Sequence, residues 1–140
     1  MKAVLHKTEH GEQCAVVNWC EVHENKWPCL KYIYAIPNGG HRHKAVAGKL
    51  KAEGVKAGVP DLCLPYPTCK RIIDRIPYGG ELPGYHGLYI EMKVKGGSVK
   101  KHQQEWIDYL WQAGYSVEVA WSADEAIQII KNYLTRGSRG

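Results

Sequence analysis

The chain has 140 residues, of which 44% are apolar, enough for one domain with a real buried core. No apolar run approaches the roughly 18 residues a membrane span requires, and Met1-Lys-Ala-Val-Leu-His-Lys7 is too short an apolar stretch for a secretion signal. A net charge of +5 with a pI near 8.9 permits a polyanionic partner without demanding one. Cys14, Cys20, Cys29, Cys63 and Cys69 are odd in number and show no close metal-type spacing, so they read as free thiols of a reducing compartment, the cytoplasm.

Residues 9–25 read as a first helix, with Ala15, Trp19 and Val22 in one apolar row and Val16 and Cys20 beside it. Glu12 precedes Ala15 by three and Val16 by four residues, so it extends the apolar face. Two readings stay open there: a carboxylate turned towards a site, or an acid of the first turn that favours the helix dipole. After Pro28, the aromatic and β-branched run Leu30–Ile36 is expected to be a strand. Pro37-Asn-Gly-Gly40 breaks it, and a second helix is expected from about Arg42 to Glu53, stopped by Gly54. This segment is basic, carrying Arg42, Lys44, Lys49, Lys51 and Lys56 with His41 and His43. The histidines, two apart, would not face one another on a helix. Gly58–Leu64 reads as a short strand with Asp61 at its start.

Residues 65–86 hold Pro65, Pro67, Pro77, Gly79-Gly80 and Pro83-Gly84, which argue for loop or hairpin excursions. Ile72, Ile73 and Ile76 suggest a brief amphipathic turn among them. In Leu88–Lys95 apolar and polar residues alternate strictly: Leu88, Ile90, Met92 and Val94 on one face, Tyr89, Glu91, Lys93 and Lys95 on the other. A third helix is expected over 100–113, with Ser98 near its cap and Trp106, Ile107, Leu110 and Trp111 on one side. Ser116–Trp121 is a further strand. Ser122-Ala-Asp-Glu125 is a capping box opening a last helix that turns Ala126, Ile127, Ile130 and Leu134 inward. The order predicts an α/β chain with one mixed sheet flanked by helices, a single domain over 1–134. The small basic tail 135–140 reads as a disordered end.

Asp61 and Glu91 fall on strands that can be neighbours, and Lys93 shares a face with Glu91. Two carboxylates can converge on a Mg²⁺ ion, which prefers a few carboxylates plus waters, and an ammonium beside them suits a phosphate oxygen or a hydroxide. Alone, a Glu-x-Lys tripeptide is the wet face of an ordinary strand, and Pro-Asp is common in turns. The joint context is what points to phosphodiester cleavage. The lysines of residues 44–56 suit phosphate contacts, which give affinity without base reading.

Ile36-Pro-Asn-Gly-Gly40, the run Leu50–Leu62 and Tyr85-His-Gly-Leu-Tyr-Ile-Glu-Met-Lys93 together resemble the VRR-NUC family, virus-type replication and repair nucleases of the PD-(D/E)xK superfamily. Gln103-Gln-Glu-Trp106 and Gly114–Val119 extend the resemblance over roughly residues 9 to 130. It implies a restriction-endonuclease-like fold and Mg²⁺- or Mn²⁺-dependent cleavage of DNA. Asp61, Glu91 and Lys93 match the family's catalytic acids and lysine, and Glu12 matches the helix-one glutamate that supports the metal site. Gln103 matches a Gln-x-x-Trp position that orients the site, and the Met92 backbone carbonyl is a further metal ligand by the same likeness. Asn38, Arg42, Lys44, Lys49, Lys51 and Lys56 are the expected DNA contacts. Members of this size are similar to phage-encoded enzymes that act as homodimers on branched or duplex DNA, which would place the protein in a host cytoplasm. The stretch from Cys69 to Pro83 departs from the family by its length. A structure-selective endonuclease is the leading expectation. The alternatives are a non-catalytic nucleic-acid-binding module on the same fold and an exo- or flap nuclease.

Overall fold

The computed structural model describes residues 7–37, 44–72 and 80–136. Thr8 opens the first helix, its Oγ1 accepting the Gly11 N–H at 3.0 Å, and α1 runs Glu9–Val22. The expected strand at 30–36 is instead a 3₁₀ helix at Pro28–Tyr32 followed by a two-residue strand, β1 (Tyr34–Ala35). Pro28 starts that helical turn, where its missing N–H costs nothing. Strand pairing is then limited by its partner β2, which spans only Leu62–Leu64.

Helix α2 covers Lys44–Ala52, and Gly54 follows with φ +100°. The strand expected from Gly58 begins four residues later because Gly58 has φ +93°, outside the extended region. A hairpin of β3 (Cys69–Ile72) and β4 (Gly80–Pro83) fills the stretch anticipated as an excursion. Its base is tied by Thr68 N–H to Tyr85 O at 2.9 Å and Tyr85 N–H to Thr68 Oγ1 at 3.1 Å. Of the amphipathic turn suggested for Ile72, Ile73 and Ile76, Ile72 ends β3 instead, and Ile73 and Ile76 lie outside the described residues.

Then come β5 (Leu88–Met92), α3 (Lys101–Gln112), β6 (Ser116–Ala120) and α4 (Ala123–Thr135). Lys100, not Ser98, is the N-cap of α3. Ser122 caps α4 by accepting the Glu125 N–H at 3.1 Å, as its capping box predicts. Helix α4 ends at Thr135, Arg136 lies 5.1 Å from the Tyr85 ring centre, and residues 137–140 of the expected tail lie outside the described residues.

The main sheet has the order β1-β2-β5-β6, with β5 parallel to β6 and the other pairs antiparallel. Helices α1 and α4 cover one face, burying Val16, Cys20, Leu62, Ile90, Met92, Ala126 and Ile130 completely. On the other, α3 packs Ile107 and Leu110 over Val117, Tyr89 and Val119. Trp111, expected inward, is 41% exposed, whereas Tyr133, not expected in the core, is buried. This is the predicted mixed sheet between helices. Among the described residues no helix is long and apolar enough to cross a membrane.

Candidate active site

A central strand covered on both sides changes the meaning of its polar face. Glu91 and Lys93 alternate with Ile90 and Met92, yet they are 2% and 6% exposed. They are therefore not a wet face. Burying a carboxylate and an ammonium costs free energy unless they find each other and further partners. Here Lys93 Nζ stands 3.5 Å from Glu91 Oε1.

Register supplies the next member. Leu62 pairs with Ile90, so Asp61, one residue earlier on β2, falls opposite Glu91. Its Oδ2 accepts the Met92 N–H at 2.7 Å, and its backbone carbonyl accepts the Ile36 N–H at 2.8 Å. Asp61 is thus fixed from β1 and from β5. The loop before it is held as tightly, since a Cβ on Gly58 would lie 2.6 Å from the His102 carbonyl oxygen of α3.

Helix α3 contributes Gln103. Its Oε1 accepts the Lys100 N–H at 2.8 Å, one of the unpaired donors of the helix start, which directs its Nε2 to Glu91 Oε1 at 3.0 Å. Both donors thus converge on one oxygen of Glu91. The other, Oε2, is buried and meets no hydrogen-bond donor among the described residues. Burial first, and then the neighbouring Asp61 charge, push the Glu91 carboxyl up to about 8, against the opposing pull of Lys93.

A buried carboxylate with one oxygen lacking a donor, beside a second carboxylate, is the environment a hard cation relieves. Mg²⁺ or Mn²⁺ fits this donor set, because such ions keep several waters and take only one or two carboxylates from the protein. No three His, Cys, Asp or Glu side chains gather into a fuller cage among the described residues.

Of the residues singled out in the sequence, the structure brings together Asp61, Glu91, Met92, Lys93 and Gln103. The contacts of Glu12 are with α4 and Lys7: its Oε2 accepts the Ala123 N–H at 2.8 Å, and Lys7 Nζ lies 3.7 Å from its Oε1. That carboxylate closes the first turn of α4, where an acid meets the positive end of the helix. Of its two open readings, the helix-terminus one describes its contacts, although the helix is α4 and not its own. Glu9, not among the residues expected at the site, reaches the turn at Gly97 that Lys93 also reaches. A Cβ on Gly97 would be 3.8 Å from both Glu9 Oε1 and Lys93 Cδ.

Lys44, Lys49, Lys51 and Lys56 are all exposed, and α2 buries no residue and packs on no other described element. Asn38 and Arg42 lie outside the described residues.

Comparison with known proteins identifies the family. The VRR-NUC domain model matches residues 2–124. A solved structure described as a VRR_NUC domain protein superposes with a TM-score of 0.69 at 32% identity, covering 94% of this chain and 92% of that one. No curated protein gives a match. The chain belongs to the VRR-NUC domain family, a family of nucleases.

Proposed function

We propose that the protein is a metal-dependent DNA endonuclease of the PD-(D/E)xK type that selects its substrate by structure. The observation that carries this is the pairing of Asp61 and Glu91 across β2 and β5, with Lys93 and Gln103 converging on one Glu91 oxygen and leaving the other, buried, without a donor. Asp61, Glu91 and the Met92 carbonyl would hold a Mg²⁺ or Mn²⁺ ion, which when bound supplies charge neutralisation at the scissile phosphate and a hydroxide at neutral pH.

The chain's own groups do the rest. Met92 N–H holds Asp61 in place, and Gln103 fixes the rotation of the Glu91 carboxylate by holding its Oε1 and leaving Oε2 without a donor. Lys93, anchored at 3.5 Å from Glu91, presents its ammonium to the attacking water or to a non-bridging phosphate oxygen. There it stabilises the negative charge that grows as the P–O bond to the departing strand breaks. Lys44, Lys49 and Lys51 on an unpacked basic helix, and Lys56 in the turn after it, supply phosphate contacts, with Asn38 and Arg42 before the helix in the chain. Two copies related by a twofold axis would bring two such sites to a branch point.

Supercoiled plasmid and a four-way junction, incubated with Mg²⁺, Mn²⁺ or EDTA, test the reading. Metal-dependent nicking of the closed circle is expected, and junction cleavage faster than that of a linear duplex. Binding without cleavage in either metal would leave a non-catalytic binding module, and cutting only from free ends would leave an exonuclease.

A further inference from the structure

Two aromatic rings on the face of the acid pair take no part in the chemistry above. In the sheet register Tyr34 stands opposite Cys63, Cys63 opposite Tyr89, and Tyr89 opposite Val117. Two residues along, on the same face, runs the row of Ile36, Asp61, Glu91 and Val119. The row after it sets Trp121 beside Lys93, because Lys93 N–H donates to Ala120 O at 2.8 Å and so continues the β5–β6 ladder. Val117 and Val119 pack on the α3 side, and Ala120 packs on the other, so the alternation turns Trp121 to the α3 side.

Tyr89 and Tyr115 on this side are packed against α3, to which Trp106 belongs. Tyr34 and Trp121 are not: they remain 48% and 40% exposed. Single exposed aromatics are ordinary on a protein surface, and Tyr32 and Tyr109 are examples lying off these rows. The difference is position. Tyr34 and Trp121 lie on opposite sides of Asp61 and Glu91, three strand spacings and four residues apart, about 20 Å along a diagonal that crosses the acids. Tyr34 stands directly opposite Cys63, a buried thiol, in the β1–β2 register.

A flat ring held half-exposed on each side of a phosphate-cutting pair matches the way unpaired bases are held, by stacking on aromatic side chains along a basic track. Paired bases cannot use such rings, because their faces are covered by their neighbours in the duplex. Exposed basic groups are present on α2. We propose that Tyr34 and Trp121 are stacking platforms for unpaired nucleobases flanking the cut, so that the preferred substrate is DNA with a single-stranded or frayed stretch at the scissile bond. This rests on the nuclease reading and names its substrate class.

The test separates binding from cleavage. Binding is measured in EDTA on a duplex carrying a short unpaired stretch labelled with 2-aminopurine, and on the fully paired duplex. The wild type is expected to prefer the unpaired stretch and to quench its fluorescence. Tyr34→Leu and Trp121→Leu should each weaken that binding on the order of tenfold and leave the paired duplex unaffected. Tyr34→Phe should keep wild-type affinity, since the π-face remains. Equal losses on both DNAs, or losses on neither, overturn the proposal. Cleavage of the same two DNAs in Mg²⁺ is scored separately. A protein that cuts neither while ring-dependent binding persists sinks the nuclease reading and supports the stacking. One that cuts both with no ring dependence sinks the stacking alone.

Discussion

Gln103 reaches Glu91 with its amide nitrogen at 3.0 Å while its amide oxygen is already committed to the Lys100 N–H at 2.8 Å. One side chain thereby ties the start of α3 to the carboxylate of β5 and cannot turn over without losing both bonds. Groups that orient metal-binding carboxylates are typically worth 10–100-fold in metal affinity or activity. Gln103→Leu is expected to raise the Mg²⁺ concentration needed for half-maximal cleavage by about that factor. A Mn²⁺ titration by calorimetry should show the same weakening without DNA. An unchanged metal midpoint would reduce Gln103 to a helix cap.

Lys93 is expected to matter to catalysis more than to DNA affinity. Lys93→Met removes the ammonium and keeps the apolar stem, and cleavage should fall on the order of 100-fold or more. Binding of uncleaved DNA in EDTA should change little, because the surface lysines carry the electrostatic affinity. Far-ultraviolet circular dichroism checks that the fold survives. If binding and cleavage fall together, Lys93 holds DNA and does not serve the reaction.

Glu12 separates a structural role from a metal-supporting one. Its bond to the Ala123 N–H is 2.8 Å long and buried. Glu12→Ala strands that donor and should cost about 1–2 kcal/mol, a fall of several degrees in Tm, whereas Glu12→Gln keeps an acceptor and should recover most of the loss. In both variants Mn²⁺ affinity should stay within a few-fold of wild type. A large loss of metal affinity at unchanged Tm would restore the role that the family resemblance assigns to this glutamate.

What was legible in the chain and what was not follows from the range of the interactions. The helices were readable because their signals are local: the Ser122–Glu125 capping box, the glycines after α2 and α3, and the three-four spacing of Val16 and Cys20. The pairing of Asp61 with Glu91 was anticipated only as neighbouring strands, since register depends on residues some thirty positions apart. The burial of Glu91 and Lys93 was missed because alternation usually marks a strand with one wet face, and nothing in β5 announces that α3 will cover it. The brevity of β1 was hidden for a similar reason. Tyr34 and Ala35 are strand-like together with their neighbours, but β2 offers them few partners.

Gly58 is expected to be a positioning residue for Asp61 three residues on. Its φ of +93° disfavours any side chain, and a Cβ would meet the His102 carbonyl oxygen at 2.6 Å. Gly58→Ala must therefore shift the loop or the first turn of α3, moving Asp61 and Gln103 relative to Glu91. Cleavage is expected to drop on the order of 100-fold, in line with a displacement of about 1 Å at reacting groups, with a modest loss of Tm. Gly54→Ala, also at positive φ but with open space around it, is the control: it should lower Tm slightly and leave the metal midpoint alone. If the two variants behave alike, the close approach to α3 has no bearing on the site.

The raised Glu91 carboxyl makes stability depend on pH in a stated direction. Its value goes from 4.5 to about 8, through burial first and then the Asp61 charge, so between those limits the folded state holds a proton that the unfolded state has released. Stability is then fully present below about 4.5 and is lost as pH rises towards 8. In EDTA, Tm of the wild type should decline across that window, and Glu91→Gln, which cannot ionise, should flatten the decline. The buried Cys20 thiol, itself pushed from 9.0 to about 12, titrates above the window and does not confuse the measurement. Adding Mn²⁺ at the upper end should raise the wild-type Tm by mass action, because the ion binds the carboxylate form, and should raise that of Glu91→Gln far less. A wild-type profile as flat as that of the variant would mean that Glu91 is already ionised without a cation.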